Sequence, residues 1–204
     1  MTDLQSLLDL CAQRHSHLCP RQVLGVRIGL AGMRALALQP PIKGKRLLAI
    51  VETDGCFSDG VEVATGCTVG HRTLRVEDYG KIAAVFVDKK TGQAIRVAPH
   101  LHARQRASAH ITGEPRHYFA QLQAYQIMSD DELLMMQGVH LTTPIKAIVS
   151  RAGRRVNCSN CGEEIINERE QIIGERPYCI TCAQGGYYSV VGLSCCLLRT
   201  SVLI

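Results

Sequence analysis

Cys158-x-x-Cys161 and Cys179-x-x-Cys182 form two cysteine pairs with seventeen residues between them. A CxxC pair fits one tight turn, and a hairpin of the intervening length brings two such turns onto one ion. Zinc is the metal that four thiols at this spacing predict. Four thiolates complete a tetrahedron and leave no position for water or substrate, so this centre is structural. Dithiol–disulfide exchange through the same pairs would need a thioredoxin-like βαβ context, which the surrounding pattern lacks.

Chemistry that needs an open position must come from a second group: His15, His17, Cys19, Cys56 and Cys67. His15-Ser16-His17-Leu18-Cys19-Pro20 places three metal-capable side chains in five positions just before a helix start. The partial positive charge and free N–H groups of a helix N-terminus favour a thiolate there. Cys56 follows Thr53-Asp54-Gly55 at the end of a strand, where a rigid sheet positions a loop. Cys67 lies in Thr65-Gly66-Cys67-Thr68. These five are the candidate ligands of a transition metal in the core, zinc among the candidates. Asp54 and Asp59 are candidates for supporting a ligand or carrying a proton. A buried cysteine is as often an inert small apolar residue. That reading stands beside the functional one for Cys67 and is favoured for Cys11, on the apolar face of the first helix. A basic and histidine-rich segment holds Arg96, His100, His102, Arg104, Arg106, His110, Arg116 and His117. It reads as a solvated face rather than an anion site.

The elements that must position these groups follow from periodicity and punctuation. Residues 3–13 read as a helix with Thr2 or Asp3 as its cap, and a second helix runs from Pro20 to about Leu38, ended by Pro40-Pro41. Gly25, Gly29 and Gly32 lower its propensity and point to close backbone packing. Residues 45–52 read as a buried strand. Residues 54–70 read as a loop and short helix, with Asp59 and Glu62 at capping-box spacing. Strands are expected over 73–77, 82–88 and 93–98, the last two joined by a turn at Lys89-Lys90-Thr91-Gly92. Helices are expected over 115–127 and 130–137, the second with Ser129 and Glu132 as a capping box. A strand is expected over 141–149, kept to an edge by Pro144. The fold class is therefore α+β, a mixed or antiparallel sheet with helices. Residues 1–150 form the core domain. Residues 151–204 hold a linker, a Cys₄ finger of ribbon or treble-clef type at about 156–186, and a short tail whose Cys195 and Cys196 match no motif.

The chain has 204 residues, 46% hydrophobic and 20% charged, with net charge +5 and no Trp. This is the range of a folded globular chain resting on an aliphatic core. Ten cysteines without a signal-like N-terminus point to the cytoplasm and to metal ligation rather than disulfides. No apolar run is long enough for a bilayer. Arg151, Arg154 and Arg155 make the linker basic, but Glu163, Glu164, Glu168, Glu170 and Glu175 make the finger acidic, which opposes nucleic-acid binding.

With these residues in view, the chain resembles the FmdE family, which takes its name from formylmethanofuran dehydrogenase. The similarity lies in His15–Pro20 running into Leu24-Gly25-Val26-Arg27-Ile28-Gly29, in Glu52-Thr53-Asp54-Gly55-Cys56, and in the stretch from Asp59 to Thr68. Asp78-Tyr79-Gly80-Lys81, Lys90-Thr91-Gly92 and Arg96-Val97 belong to it as well. Arg21 departs from the pattern, because the family usually has glycine there. The resemblance implies an α+β core, a homodimer and a metal held by the His/Cys cluster. It implies no activity by itself, and nothing here resembles a pterin site or a ferredoxin-like cysteine run. The expected function is a cytoplasmic metal-binding protein linked to one-carbon or methanogenesis-type metabolism. The alternative is a non-catalytic accessory protein that docks on a partner enzyme through the finger.

Overall fold

The computed structural model describes residues 3–39, 42 and 44–189. The expectations for Thr2, for Pro40-Pro41 and for the tail from residue 190 onward lie outside the described residues. The chain divides into two compact units, Met1–Ile145 and Lys146–Ile204.

The first unit opens with α1 (Leu4–His15) and α2 (Pro20–Ala35). Asp3 occupies the cap position of α1 without a side-chain cap bond, and Ser16 ends the helix in the left-handed region. Twelve of the sixteen residues of α2 are buried. A helix buried on so many sides needs neighbours all round, and its glycines admit them. A Cβ on Gly25 would stand 2.3 Å from the Phe57 carbonyl oxygen, and one on Gly32 would stand 2.1 Å from the Phe86 ring. Glycine at these positions lets the backbone of α2 touch both a helix and the sheet.

The sheet has the order β2-β1-β3-β4-β5. Its strands are β1 (Leu47–Val51), β2 (Leu74–Val76), β3 (Ala84–Asp88), β4 (Ala94–Pro99) and β5 (Leu134–Gly138). β2 pairs parallel with β1 and the other pairings are antiparallel, so the sheet is mixed. All five residues of β1 are buried. The β3–β4 turn is closed by Gly92 at φ 80° and by the Asp88 carboxylate, which accepts from the Lys90 amide at 2.9 Å and takes a two-bond grip from Arg46.

Helix α3 (Cys56–Thr65) lies against α1 and α2; α4 (Ala103–His110), α5 (His117–Ile127) and α6 (Asp130–Leu133) follow β4. The buried Arg27 guanidinium donates to the carbonyls of Tyr125 at 2.8 Å and Met128 at 2.6 Å, and to Asp130. It thereby satisfies carbonyls at the α5 C-terminus that the helix leaves unpaired.

Three local expectations are corrected. Helix α6 ends at Leu133, and residues 134–138 are strand β5, because the edge of β4 offers a full antiparallel register from Ile95 to Pro99. The Ser129–Glu132 capping box is present at the start of α6. The segment 141–149 holds a short helix, α7 (Ile145–Val149), rather than a strand. Pro144, just before it, has no N–H for a ladder but suits a helix entry. Asp59 and Glu62 lie inside α3, whose N-cap is Gly55 at φ 70°, so they form no capping box. Their carboxylates instead reach α1.

The second unit holds two hairpins and a terminal helix. Strand β6 (Arg155–Asn157) pairs with β7 (Glu164–Ile166), and β8 (Gln171–Ile173) pairs with β9 (Arg176–Tyr178). Helix α8 (Ile180–Gln184) follows directly. Among the described residues no helix is long and apolar enough to cross a membrane.

Candidate functional site

The β6–β7 connection carries Cys158 and Cys161, and Gly162 at φ 77° completes its turn with an amide bond to the Cys158 carbonyl at 3.0 Å. Cys179 caps α8 and Cys182 sits in its first turn. Each CxxC is thus one turn, and the Ser159 amide, bonded to the Pro177 carbonyl at 2.8 Å, holds the two turns together. The ligand atoms of all four cysteines lie within 4.8 Å of one another.

The donor set fits zinc on three observations. Amides of Cys179 and Cys182 donate to the sulfurs of Cys158 and Cys179, each at 3.3 Å, and the Asn160 side-chain amide donates to Cys182 at 3.3 Å. Such N–H···S bonds strengthen when the sulfur is a thiolate. The backbone amides of Cys161 and then Cys179 lower the Cys158 thiol to about 6. The Glu163 amide also favours a thiolate at Cys161, but desolvation and the Cys158, Cys182 and Cys179 sulfurs outweigh it and push that thiol up to about 12. One thiolate is favoured and the rest repel it, so four need a cation among them.

In the core, Cys19 and Cys56 occupy matching places. Cys19 is the N-cap of α2 and Cys56 is the first residue of α3. The first turns of these helices interlock: a Cβ on Gly60 would stand 2.4 Å from the Gln22 carbonyl oxygen. Both helix N-termini therefore open onto one spot, with a cysteine at each. Burial first, and the neighbouring Cys19 thiol second, raise the Cys56 thiol, while Arg21 works the other way. Tyr118, from α5, stands close enough that its hydroxyl feels both sulfurs; its pKa is raised by burial first and then by Cys19 and Cys56.

The remaining expected residues are placed around this pair. His15 hydrogen-bonds through Nε2 to the Asp59 carboxylate, so it can offer a metal only Nδ1. Arg14 pairs with Glu62 at 3.1 Å, alongside that carboxylate. His17 and Asp54 are exposed. Cys67 stands apart: it is buried beyond the far end of α3, 3.9 Å from the Leu47 carbonyl at the start of β1, whereas Cys56 follows the end of β1. Its thiol is raised by burial, which favours the neutral form. Among the described residues, only the four finger cysteines bring three or more such ligand atoms within 4.8 Å. The core thus brings two cysteines to converging helix starts, with His15 held by Asp59 of α3.

Two participants escaped the sequence patterns. Gln22 is fully buried; its Oε1 accepts from the Cys19 amide at 2.9 Å and its Nε2 donates to the Cys11 carbonyl at 3.1 Å. One amide side chain thereby pins the loop from α1 to α2. Gln22 lies three positions after Cys19, which is capping-box spacing and the signal that could have found it. No pattern marked Tyr118. The basic segment is tied internally: Arg96 grips Glu52 at 2.6 and 2.7 Å, Arg106 donates to the Glu132 carbonyl, and His110 meets the Glu132 carboxylate.

The fold and site together define a two-unit metalloprotein class: an α+β core with a thiol pair at converging helix starts, followed by a four-cysteine finger. Residues 14–135 match the family model "FmdE, Molybdenum formylmethanofuran dehydrogenase operon", and the chain belongs to this family. Residues 151–188 match the prokaryotic dksA/traR C4-type zinc finger. A protein of Archaeoglobus fulgidus described as a "Probable S-adenosyl-L-methionine-binding protein" is 30% identical over 210 residues, covering 93% of this chain. The chain spans about half the length of that relative, 55% of it. A tungsten formylmethanofuran dehydrogenase FmdE-like protein from Syntrophus aciditrophicus, known from its crystal structure, has the same fold. Its TM-score is 0.59 at 22% identity, over 91% of this chain and 95% of that one.

Proposed function

We propose that this chain is a cytoplasmic metal-binding protein with two ions in different roles. The finger holds structural zinc through Cys158, Cys161, Cys179 and Cys182, in the knuckle–hairpin–helix order of a treble clef. The core holds a transition metal through Cys19 and Cys56. His15 through Nδ1, His17 or an exogenous ligand completes that coordination, and Cys67 takes no part. The observation that carries this reading is the pair of cysteines at the starts of two interlocked helices, Cys19 capping α2 and Cys56 opening α3. Thiols gathered at positive helix ends favour a soft or borderline cation once deprotonated. Asp59 orients His15, as a carboxylate behind a ligating imidazole does. Such a metal would polarise a small ligand at the remaining position. A role in one-carbon or methanogenesis-type metabolism, and a homodimeric state, rest on family membership.

Cobalt(II) substitution tests the core. Full-length protein loaded with two equivalents should show thiolate-to-cobalt absorption that falls in Cys19→Ser/Cys56→Ser. An identical spectrum in that variant would remove the core metal.

A second reading has its own support on the finger. Ile166, Ile172, Ile173, Ile180, Tyr187 and Tyr188 are exposed on a small unit, Ile172 at 62%. Exposed large apolar residues on so small a unit are the kind of surface a partner covers, and an accessory protein would dock on a partner enzyme through them. Arg151 and Arg155 are paired with Glu168 and Glu164, which weakens any claim of the linker on nucleic acid. Retention of a co-purifying enzyme by wild type, and its loss with Ile172→Ser/Ile173→Ser, would favour this reading.

A further inference from the structure

We propose that Cys19 and Cys56 also form a reversible redox couple, closing to an intramolecular disulfide with hydrogen peroxide and so alternating between a metal-binding dithiol and a metal-free disulfide. The metal half rests on the proposed core site; the disulfide half rests on geometry alone. A disulfide needs Cα atoms about 4.4–6.8 Å apart. Few helix pairs allow this without movement, because side chains hold their axes about 8–10 Å apart. Here α2 and α3 meet through Gly25 and Gly60: a Cβ on Gly60 would stand 2.9 Å from the Gly25 Cα. The thiols stand at the starts of the two helices, at one end of this backbone contact.

The two thiols differ in access. Cys19 is 7% exposed, whereas Cys56 is half-buried and open to a small oxidant. The Cys56 sulfur attacks one peroxide oxygen, the O–O bond breaks, and water leaves with the Cys56 proton, giving a sulfenic acid. The Cys19 sulfur then displaces the sulfenic hydroxyl, which departs as water with the Cys19 proton. Two thiols and one peroxide yield one disulfide and two waters, the sulfurs giving up two electrons. A dithiol reductant such as dithiothreitol reverses the step by exchange. Two other core cysteines are excluded from the couple. Cys67 lies at the other end of β1, and Cys11 is wholly enclosed in the hydrophobic core.

The test is peptide mapping of the full chain treated with peroxide, once after chelation and once with zinc restored. The expected product after chelation links the tryptic peptide 15–21 to the peptide 47–72, short of the mass of two hydrogens, with fragmentation placing the bond on Cys56 rather than Cys67. Dithiothreitol should return both peptides. In Cys19→Ser, Cys56 should stop at a sulfenic acid trapped by dimedone. Linkage of Cys19 to Cys11, or Cys56 driven to the sulfinic acid while Cys19 stays reduced, would overturn the couple. Zinc should slow closure at least tenfold. Closure equally fast with zinc present would keep the disulfide and strike out the metal alternation, so the two halves fail separately.

Discussion

The finger and the core solve the same problem, gathering thiols, by opposite means. In the finger the spacing does the work. Cys158 and Cys161 share one turn, Cys179 and Cys182 share another, and little apolar matter lies beneath them; of the three β7 residues only Ile165 is buried. In the core, Cys19 and Cys56 are thirty-seven positions apart in sequence and meet because two helices pack backbone to backbone. A local site of this kind needs its ion to exist as a structure. A packed site exists without the ion and can hold its ligands short of full coordination.

The largest expected effect breaks the comparison at the finger. Ions stabilise zinc-finger peptides by about 10–16 kcal/mol, which exceeds what so small a unit can supply from its own core. Chelation, or Cys179→Ser, should therefore strip amide protection from residues 156–186 in hydrogen exchange and leave the core sheet protected. Equal loss in both units would erase the distinction.

Next in size is Gly25→Ala. Its Cβ would meet the Phe57 carbonyl at 2.3 Å, backbone that has nowhere to go, and overpacking of this kind costs about 3 kcal/mol. Denaturant melts should show that loss in the core, with the finger's zinc retained. Gln22→Met comes third. It leaves the buried Cys19 amide without its acceptor and removes a bond to the Cys11 carbonyl, at about 2 kcal/mol. It should also quicken exchange at the Cys19 amide.

The smallest effect separates the two units by pH. In the folded finger the backbone amides hold the Cys158 thiol down at about 6, below its usual range, so its contribution is present above the unfolded thiol value. That contribution is lost as pH falls through about 6. Bound zinc lowers the transition further, so zinc release should begin no higher than about pH 6. In the core, the Arg46 guanidinium beside Asp88 holds its carboxyl well below the usual carboxylate range. That depressed value means stability present above the unfolded value of about 3.9 and lost only as pH falls below it. A pH titration followed by zinc release and by circular dichroism should therefore lose the finger before the core.

What could be read from the sequence follows the same division. The Cys₄ finger, with each CxxC on one turn, is a local feature and was visible. So were the three α2 glycines, whose low propensity demands a packing reason, and the buried strand at β1. The convergence of Cys19 with Cys56 could only be placed through family resemblance, because periodicity does not say which helix meets which. The separation of Cys67 from Cys56 was invisible: both flank α3, and only the sheet puts them at opposite ends of β1. Met135 and Met136 read as helix because they are good helix formers. Pairing with β4 overrides that local preference.

The central claim is that one chain carries a closed metal site and a second, packed one. Native mass spectrometry of metal per full-length chain tests it most directly, on wild type, Cys19→Ser/Cys56→Ser and Cys158→Ser/Cys161→Ser. The account predicts two ions on wild type and one on each variant, with the core intact in both. A single ion on wild type, retained in Cys19→Ser/Cys56→Ser and absent from the finger variant, would contradict it.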